Sequence, residues 1–260
     1  MPEADRNLDS VMTVPRGDNT ASCILLDIEG TTTPIDFIYE VLFPYARARV
    51  KDYLARRFAA EDVLLDIAHL REEHAEDARK GADPPSLSDE NDEAMIDSIT
   101  AYIHWLMDRD RKSTPLKSLQ GKIWEDGYRT DDLKGKVFAD VAPAFEEWRR
   151  QGKQICIYSS GSVLAQKLLF AHTESGDLTG YIEDYFDTNV GAKKEAESYR
   201  RIAYALQRPA SEILFISDVT DELDAARIAG LQTALSLRPG NHPVSDERDH
   251  KSIHTFDELL

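Results

Sequence analysis

The chain has 260 residues, 42% of them hydrophobic, which is enough for a substantial core in one large domain or two small ones. Acidic side chains outnumber basic ones 48 to 31, and the resulting formal charge of −17 repels nucleic acid and anionic membrane, so any bound phosphate needs local positive groups. A divalent cation would be drawn to such a surface.

No apolar stretch approaches the roughly 20 residues that cross a bilayer. Residues 1–21 lack the apolar run of a signal peptide and read as a disordered tail. The only cysteines, Cys23 and Cys156, both sit in apolar runs and read as small core residues rather than a disulfide or metal pair. A reducing compartment fits, and a cytoplasmic location is expected, with a nuclear one open if the source is eukaryotic. A monomer is expected, with no nucleic-acid or membrane partner.

Cys23-Ile24-Leu25-Leu26 is too short and too continuously apolar for an amphipathic helix and reads as a buried strand of a parallel sheet. Asp27 then falls at its carboxyl edge, where ligands bind in open α/β sheets, and Gly30 permits a tight turn beside it. An Asx turn closing an ordinary strand is the simpler reading of the same residues. Helical spacing follows for about a hundred residues, predicting helices over 36–58 with a bend near Pro44, over 61–80, over 89–111, and a fourth from Pro115. The Pro-rich stretch 81–86 separates the second from the third.

From Val137 onward strands and helices alternate, with strands expected over 154–158, 185–188, 213–216 and 233–237, and helices over 162–171, 194–206 and 221–229. The fold class is therefore α/β: a parallel-sheet, Rossmann-like core of residues 22–35 and 139–260 carrying an inserted helical cap, 36–138.

Three strand ends add chemistry to Asp27. Tyr158-Ser159-Ser160-Gly161-Ser162 puts hydroxyls and amides at a helix amino end, a natural phosphate site, although capping alone explains one serine. Ser217-Asp218-Val219-Thr220-Asp221-Glu222 supplies carboxylates that also read as ordinary capping of the next helix. Gly191-Ala192-Lys193 places a cation at a helix amino end, where the dipole disfavours it unless a phosphate compensates; Lys194 is an equally available lysine on residue type alone. One crevice can hold Asp27, Ser159, Lys193 and Asp218, and two carboxylates with a main-chain carbonyl and waters suit Mg²⁺.

Asp27-Ile28-Glu29-Gly30-Thr31 resembles the first motif of the haloacid dehalogenase superfamily, usually Asp-x-Asp-Gly-Thr. Glutamate at the second acidic position is similar to one branch, the enolase-phosphatases (acireductone synthases) of methionine salvage. The likeness extends over Leu42-Phe43-Pro44-Tyr45, Leu116-Lys117-Ser118-Leu119-Gln120-Gly121, Tyr158-Ser159-Ser160-Gly161-Ser162, Glu197-Ser198-Tyr199-Arg200 and Arg238-Pro239-Gly240-Asn241, and so covers cap and core. It implies a haloacid dehalogenase core and enolisation and dephosphorylation of 2,3-diketo-5-methylthiopentyl-1-phosphate. It also implies Asp27 as nucleophile, Glu29 as general acid and base, and Ser159, Ser160 and Lys193 as phosphate-binding residues. One Mg²⁺ would be held by Asp27, the Glu29 carbonyl and Asp218. No enolisation base is identifiable.

Three rivals share parts of this pattern. A sugar-phosphate phosphatase of the superfamily differs only in its cap, and a true haloacid dehalogenase needs no metal, against which Glu29 and Asp218 argue. A signalling receiver also combines an acceptor aspartate, Mg²⁺, a hydroxyl and a lysine, but has no use for an acid/base beside the aspartate or for a large cap. Neither a Gly-x-x-x-x-Gly-Lys-Ser/Thr loop nor a Gly-x-Gly-x-x-Gly fingerprint is present.

Overall fold

The computed structural model describes residues 21–244 and 246–260. The expected tail lies outside these residues except for Ala21, which is buried. Six strands, β1 (Cys23–Leu26), β2 (Gln154–Tyr158), β3 (Asp184–Phe186), β4 (Ile213–Ser217), β5 (Gln232–Ser236) and β6 (Lys251–Ile253), form one parallel sheet in the order β3-β2-β1-β4-β5-β6.

The unbroken apolar run of β1 follows from burial on both faces. Ile24 and Leu26 pack with Ile155, Ile157, Leu214 and Ile216 on one side, while Cys23 and Leu25 pack with Cys156, Tyr158 and Phe215 on the other. Helices α5 (Val141–Arg150) and α6 (Val163–Ala171) cover the first face through Phe145, Trp148, Leu169 and Phe170. Helices α7 (Ala196–Ala205) and α8 (Thr220–Ile228) cover the second through Tyr199, Ile202 and Leu223. Each such side chain contributes roughly 1.5–3 kcal/mol by leaving water. Cys23 and Cys156 are buried free thiols 4.0 Å apart in the second layer.

Between β1 and β2 lie α1 (Phe43–Arg57), α2 (Glu61–Arg79), α3 (Asp92–Met107) and α4 (Thr114–Arg129). The bend expected near Pro44 takes the form of a π-helical turn over Phe37–Leu42, where the Phe43 N–H donates to the Ile38 carbonyl, and α1 then continues with Pro44 in its first turn. Helix α3 is shorter than its periodicity suggests. Asn91 caps its start by accepting from the Ala94 N–H, and Asp110 turns left-handed (φ 46°) just beyond its end.

Two elements depart from the sequence reading. Helix α5 carries the apolar spacing Val141, Ala144, Phe145, Trp148, but Pro143 obscures it; in the first turn its missing N–H costs nothing. Strand β6 is only three residues long and is fixed by pairing with β5.

Two buried acids tie the helical block together. Asp66 of α2 accepts from Ser118 (3.0 Å) and pairs with Lys122 (2.7 Å) on α4, while Asp77 accepts from Tyr102 (2.8 Å) and Arg111 (2.7 Å). Removing one partner of such a pair would leave a buried charge uncompensated.

Candidate active site

Asp27 follows β1 and Asp218 follows β4, the neighbouring strands at which the sheet order reverses and a crevice opens. The chain after Asp27 folds into a compact turn. The N–H groups of Thr31, Thr32 and Thr33 converge on the Ile28 carbonyl at 3.2, 3.0 and 2.9 Å, and the Gly30 N–H donates to the Thr33 carbonyl at 2.8 Å. Gly30 has φ +68°, and a Cβ there would stand 2.4 Å from Asp218 Oδ2, so glycine is required both by the backbone and by the approach of the second aspartate.

The far end of the sheet locks this turn. Ser236 Oγ and Asn241 Nδ2 donate to the Gly30 carbonyl at 3.2 and 2.9 Å, and Arg238, itself paired with Asp140 (2.8 Å), donates to the Thr31 carbonyl at 3.2 Å. The Arg238-Pro239-Gly240-Asn241 segment thus clamps the catalytic-strand turn from a distant part of the sequence.

Within the crevice, Asp27 Oδ1 accepts from the Ile28 N–H (2.8 Å) and pairs with Lys193 Nζ at 2.7 Å, while Oδ2 accepts from Ser217 Oγ at 3.2 Å. Lys193 Nζ also contacts Glu222 Oε2 at 2.7 Å. Burial alone would pull its ammonium down, but Asp27 and Glu222 outweigh that and hold it above the usual lysine range.

The geometry separates the two lysines. The Lys193 side chain is 9% exposed, whereas that of Lys194 is 63% exposed and pairs with Asp221 at the surface. The sequence reading of Lys193 at a helix amino end is corrected, because α7 begins at Ala196 and the lysine's compensation comes from two carboxylates.

Glu222 is the site residue that sequence reasoning missed. By position it belongs with the capping acids, yet it turns inward to Lys193 and Ser217 while Asp221 turns outward to Lys194 and Arg248. The signal available in the sequence is its place beside Asp221 in the first turn of α8, where neighbouring side chains diverge and both cannot face the crevice.

Asp27 and Glu222 thus contact the buried ammonium, and the Glu29 and Asp218 carboxyls lie close enough to feel its charge and that of Asp27. Burial, followed by the Asp27 charge, pushes both Glu29 and Asp218 up to about 7. This oxygen-rich excess of negative charge is the chemistry that a hard divalent cation takes. No three His, Cys, Asp or Glu side chains converge as a metal cluster among the described residues, so a cation here would need the main-chain carbonyl and water beside two carboxylates.

Glu29 and Asp218 make the stability of the metal-free protein depend on pH. Because the folded protein holds protons on both carboxyls that the unfolded chain has already released, stability falls as pH rises from their ordinary values of 4.5 and 3.8 through about 7. A tenfold difference in proton affinity between the two states is worth about 1.4 kcal/mol, so the loss between a pH of about 5.5 and about 8 should amount to a few kcal/mol. Melting curves across that range check it; a Tm that stays level or rises would contradict the assignment of both buried acids.

Ser159 and Ser160 open onto a neighbouring cavity of about 510 Å³, which Glu29 also lines. Much of the rest of its wall comes from the helical block, including Leu42, Phe43, Met107, Leu116 and Trp124, with Ala165 and Leu169 of α6 opposite, and is mostly apolar. Ser159 Oγ accepts from the Gly161 N–H at 3.2 Å, and Gln166 Nε2 fixes the same turn through the Gly161 carbonyl at 2.8 Å. The structure thus brings Asp27, Lys193, Asp218 and Glu222 together in the crevice, with Glu29 between the crevice and the cavity that the two serines face.

The family model of haloacid dehalogenase-like hydrolases matches residues 21–230. Together with the crevice this defines the class: the chain is a haloacid dehalogenase-like hydrolase. Enolase-phosphatase E1 of Synechococcus elongatus is 53% identical over 236 residues, 91% of this chain and 96% of that protein. The Drosophila melanogaster Enolase-phosphatase E1 is 43% identical over 249 residues, 92% of this chain and 95% of that one. Among solved structures, the UTR4 protein of Saccharomyces cerevisiae superposes with a TM-score of 0.72 at 36% identity, covering 91% of this chain and 99% of that one. The chain belongs to the enolase-phosphatase E1 family, and the switch-domain alternative falls away.

Proposed function

We propose that this phosphatase converts 2,3-diketo-5-methylthiopentyl-1-phosphate into the acireductone 1,2-dihydroxy-3-keto-5-methylthiopentene and phosphate, in methionine salvage, through an aspartyl phosphate on Asp27. The observation that carries the reading is Glu29, a carboxyl raised to about 7 that stands between Asp27 and a largely apolar cavity of about 510 Å³. A phosphate ester with an apolar tail fits that layout, its reacting end at the crevice.

In this reading the Asp27 carboxylate, oriented by the Ile28 N–H and the Ser217 hydroxyl, attacks phosphorus. Glu29 protonates the departing ester oxygen and then takes a proton from the water that hydrolyses the phosphoaspartate; a group titrating near neutrality serves both directions. Lys193, Ser159 and Ser160 hold the phosphate. Asp27, the Glu29 carbonyl and Asp218 would hold Mg²⁺, one per chain, which would supply charge neutralisation at phosphate and polarisation of the diketone. Residues 36–138 act as the cap that selects the substrate, supported by the share of the cavity wall they provide.

Phosphate release from the diketone phosphate, measured against a panel of sugar phosphates with and without Mg²⁺, tests the reading. Preference for a sugar phosphate, or full activity in excess chelator, would replace it. Glu29→Gln should fold normally and slow turnover by about 10²-fold or more. Unchanged turnover across the pH range in that variant would leave Glu29 a structural role only.

A further inference from the structure

The segment Leu116–Gly121 belongs to α4, and most of its residues have a visible purpose. Leu116 and Leu119 are buried, Ser118 donates to Asp66, and Gly121 faces Ser162 and Leu164 at van der Waals distance from a would-be Cβ. Lys117 and Gln120 remain.

Both line the cavity, and their spacing of three places them on one face of the helix, one turn apart. Lys117 Nζ donates to the Ser160 carbonyl at 3.1 Å, so the helical block reaches the phosphate turn of the core through this ammonium. No carboxylate among the described residues pairs with it, although Arg47 and Arg111 on the same wall are held by Asp108 (2.8 Å) and Asp77 (2.7 Å). Gln120 is only 7% exposed and lines the cavity, and its amide is not among the fully buried polar groups, so it remains open to whatever fills that space.

Resting on the proposed function, we infer that Lys117 and Gln120 form a paired donor site for the two adjacent carbonyl oxygens of a vicinal dicarbonyl. An ammonium has three donors and no acceptor, so with one bound to Ser160 two remain for the ligand. The amide offers two more. Most of the remaining lining is apolar. Phosphate turn, two donors and apolar wall thus succeed one another along the cavity as phosphate, two carbonyls and hydrocarbon tail do along the ligand. Lys117, at the phosphate turn, serves the carbonyl nearer the phosphate, and Gln120 the next.

Lys117→Met and Gln120→Leu keep most of the side-chain bulk and remove the donors. Each should lower kcat/KM for the diketone phosphate on the order of tenfold to a hundredfold, the scale of one lost hydrogen bond to a bound ligand. The inhibition constant of inorganic phosphate, which has no carbonyl, should stay within about twofold, and Lys117→Arg should recover part of the loss. Parallel loss of phosphate affinity and of kcat/KM, or no loss in either, would overturn the site. If the unaltered protein does not turn over the diketone phosphate yet hydrolyses another ester, the functional reading itself fails, and that result is distinct from the other two.

Discussion

Asp27→Asn should release no measurable phosphate from the diketone phosphate, a fall of roughly 10⁴-fold or more, which is the scale seen when a nucleophile is removed. The substitution is nearly isosteric. An amide oxygen at the same place still accepts from the Ile28 N–H and from Lys193, so the turn and the fold survive. What disappears is the carboxylate that attacks phosphorus. Enolisation needs only removal of a proton beside a carbonyl, so the same variant should still form the conjugated enol phosphate, visible as a new ultraviolet absorbance, provided it still binds Mg²⁺. Metal occupancy is measured on the same sample. A variant that binds metal and substrate but forms no enol would make Asp27 part of both steps.

Lys193→Ala should have the second largest effect, on both stability and binding. The ammonium is the counter-ion that touches both Asp27 and Glu222, and without it two buried carboxylates face each other. Breaking such a pair costs about 3–5 kcal/mol, and phosphate loses its nearest cation in the crevice as well. Lys194→Ala removes a surface pair with Asp221 and should change stability by less than about 1 kcal/mol, with turnover unaltered. Equal effects from the two lysines, in melting temperature or in phosphate affinity, would show that the buried lysine is not the functional one.

The parts of this site that could be read from the sequence are those set by short-range chemistry. The apolar run of Cys23–Leu26 ending in Asp27 specifies a buried strand with a carboxylate at its edge, and Ser159, Lys193 and Asp218 fall after or beside other strands in the same way. The helix starts capped by Asn91 and Ser113 lie within two residues of the starts at 89 and Pro115 that periodicity suggests, and the caps themselves set the difference. Other features depend on what meets in space. Whether Asp221 or Glu222 points inward is a matter of helical phase relative to a lysine on another loop, and both look alike as capping acids. The grip of Arg238 and Asn241 on the Gly30 turn joins distant segments and leaves no local periodicity. Helix α5 is concealed by Pro143, which is harmless only because of its position in the first turn.

The central claim is that the phosphoryl group passes through Asp27. Reacting the enzyme with the diketone phosphate, quenching in acid within a single turnover, and locating the phosphoryl group by peptide mass spectrometry tests it most directly. The account predicts a phosphoryl group on the Asp27 side chain at early times, gone at later ones and absent in Asp27→Asn. A phosphoryl group found on Glu29 or Asp218, or none on any carboxylate while the enzyme is turning over, would contradict it.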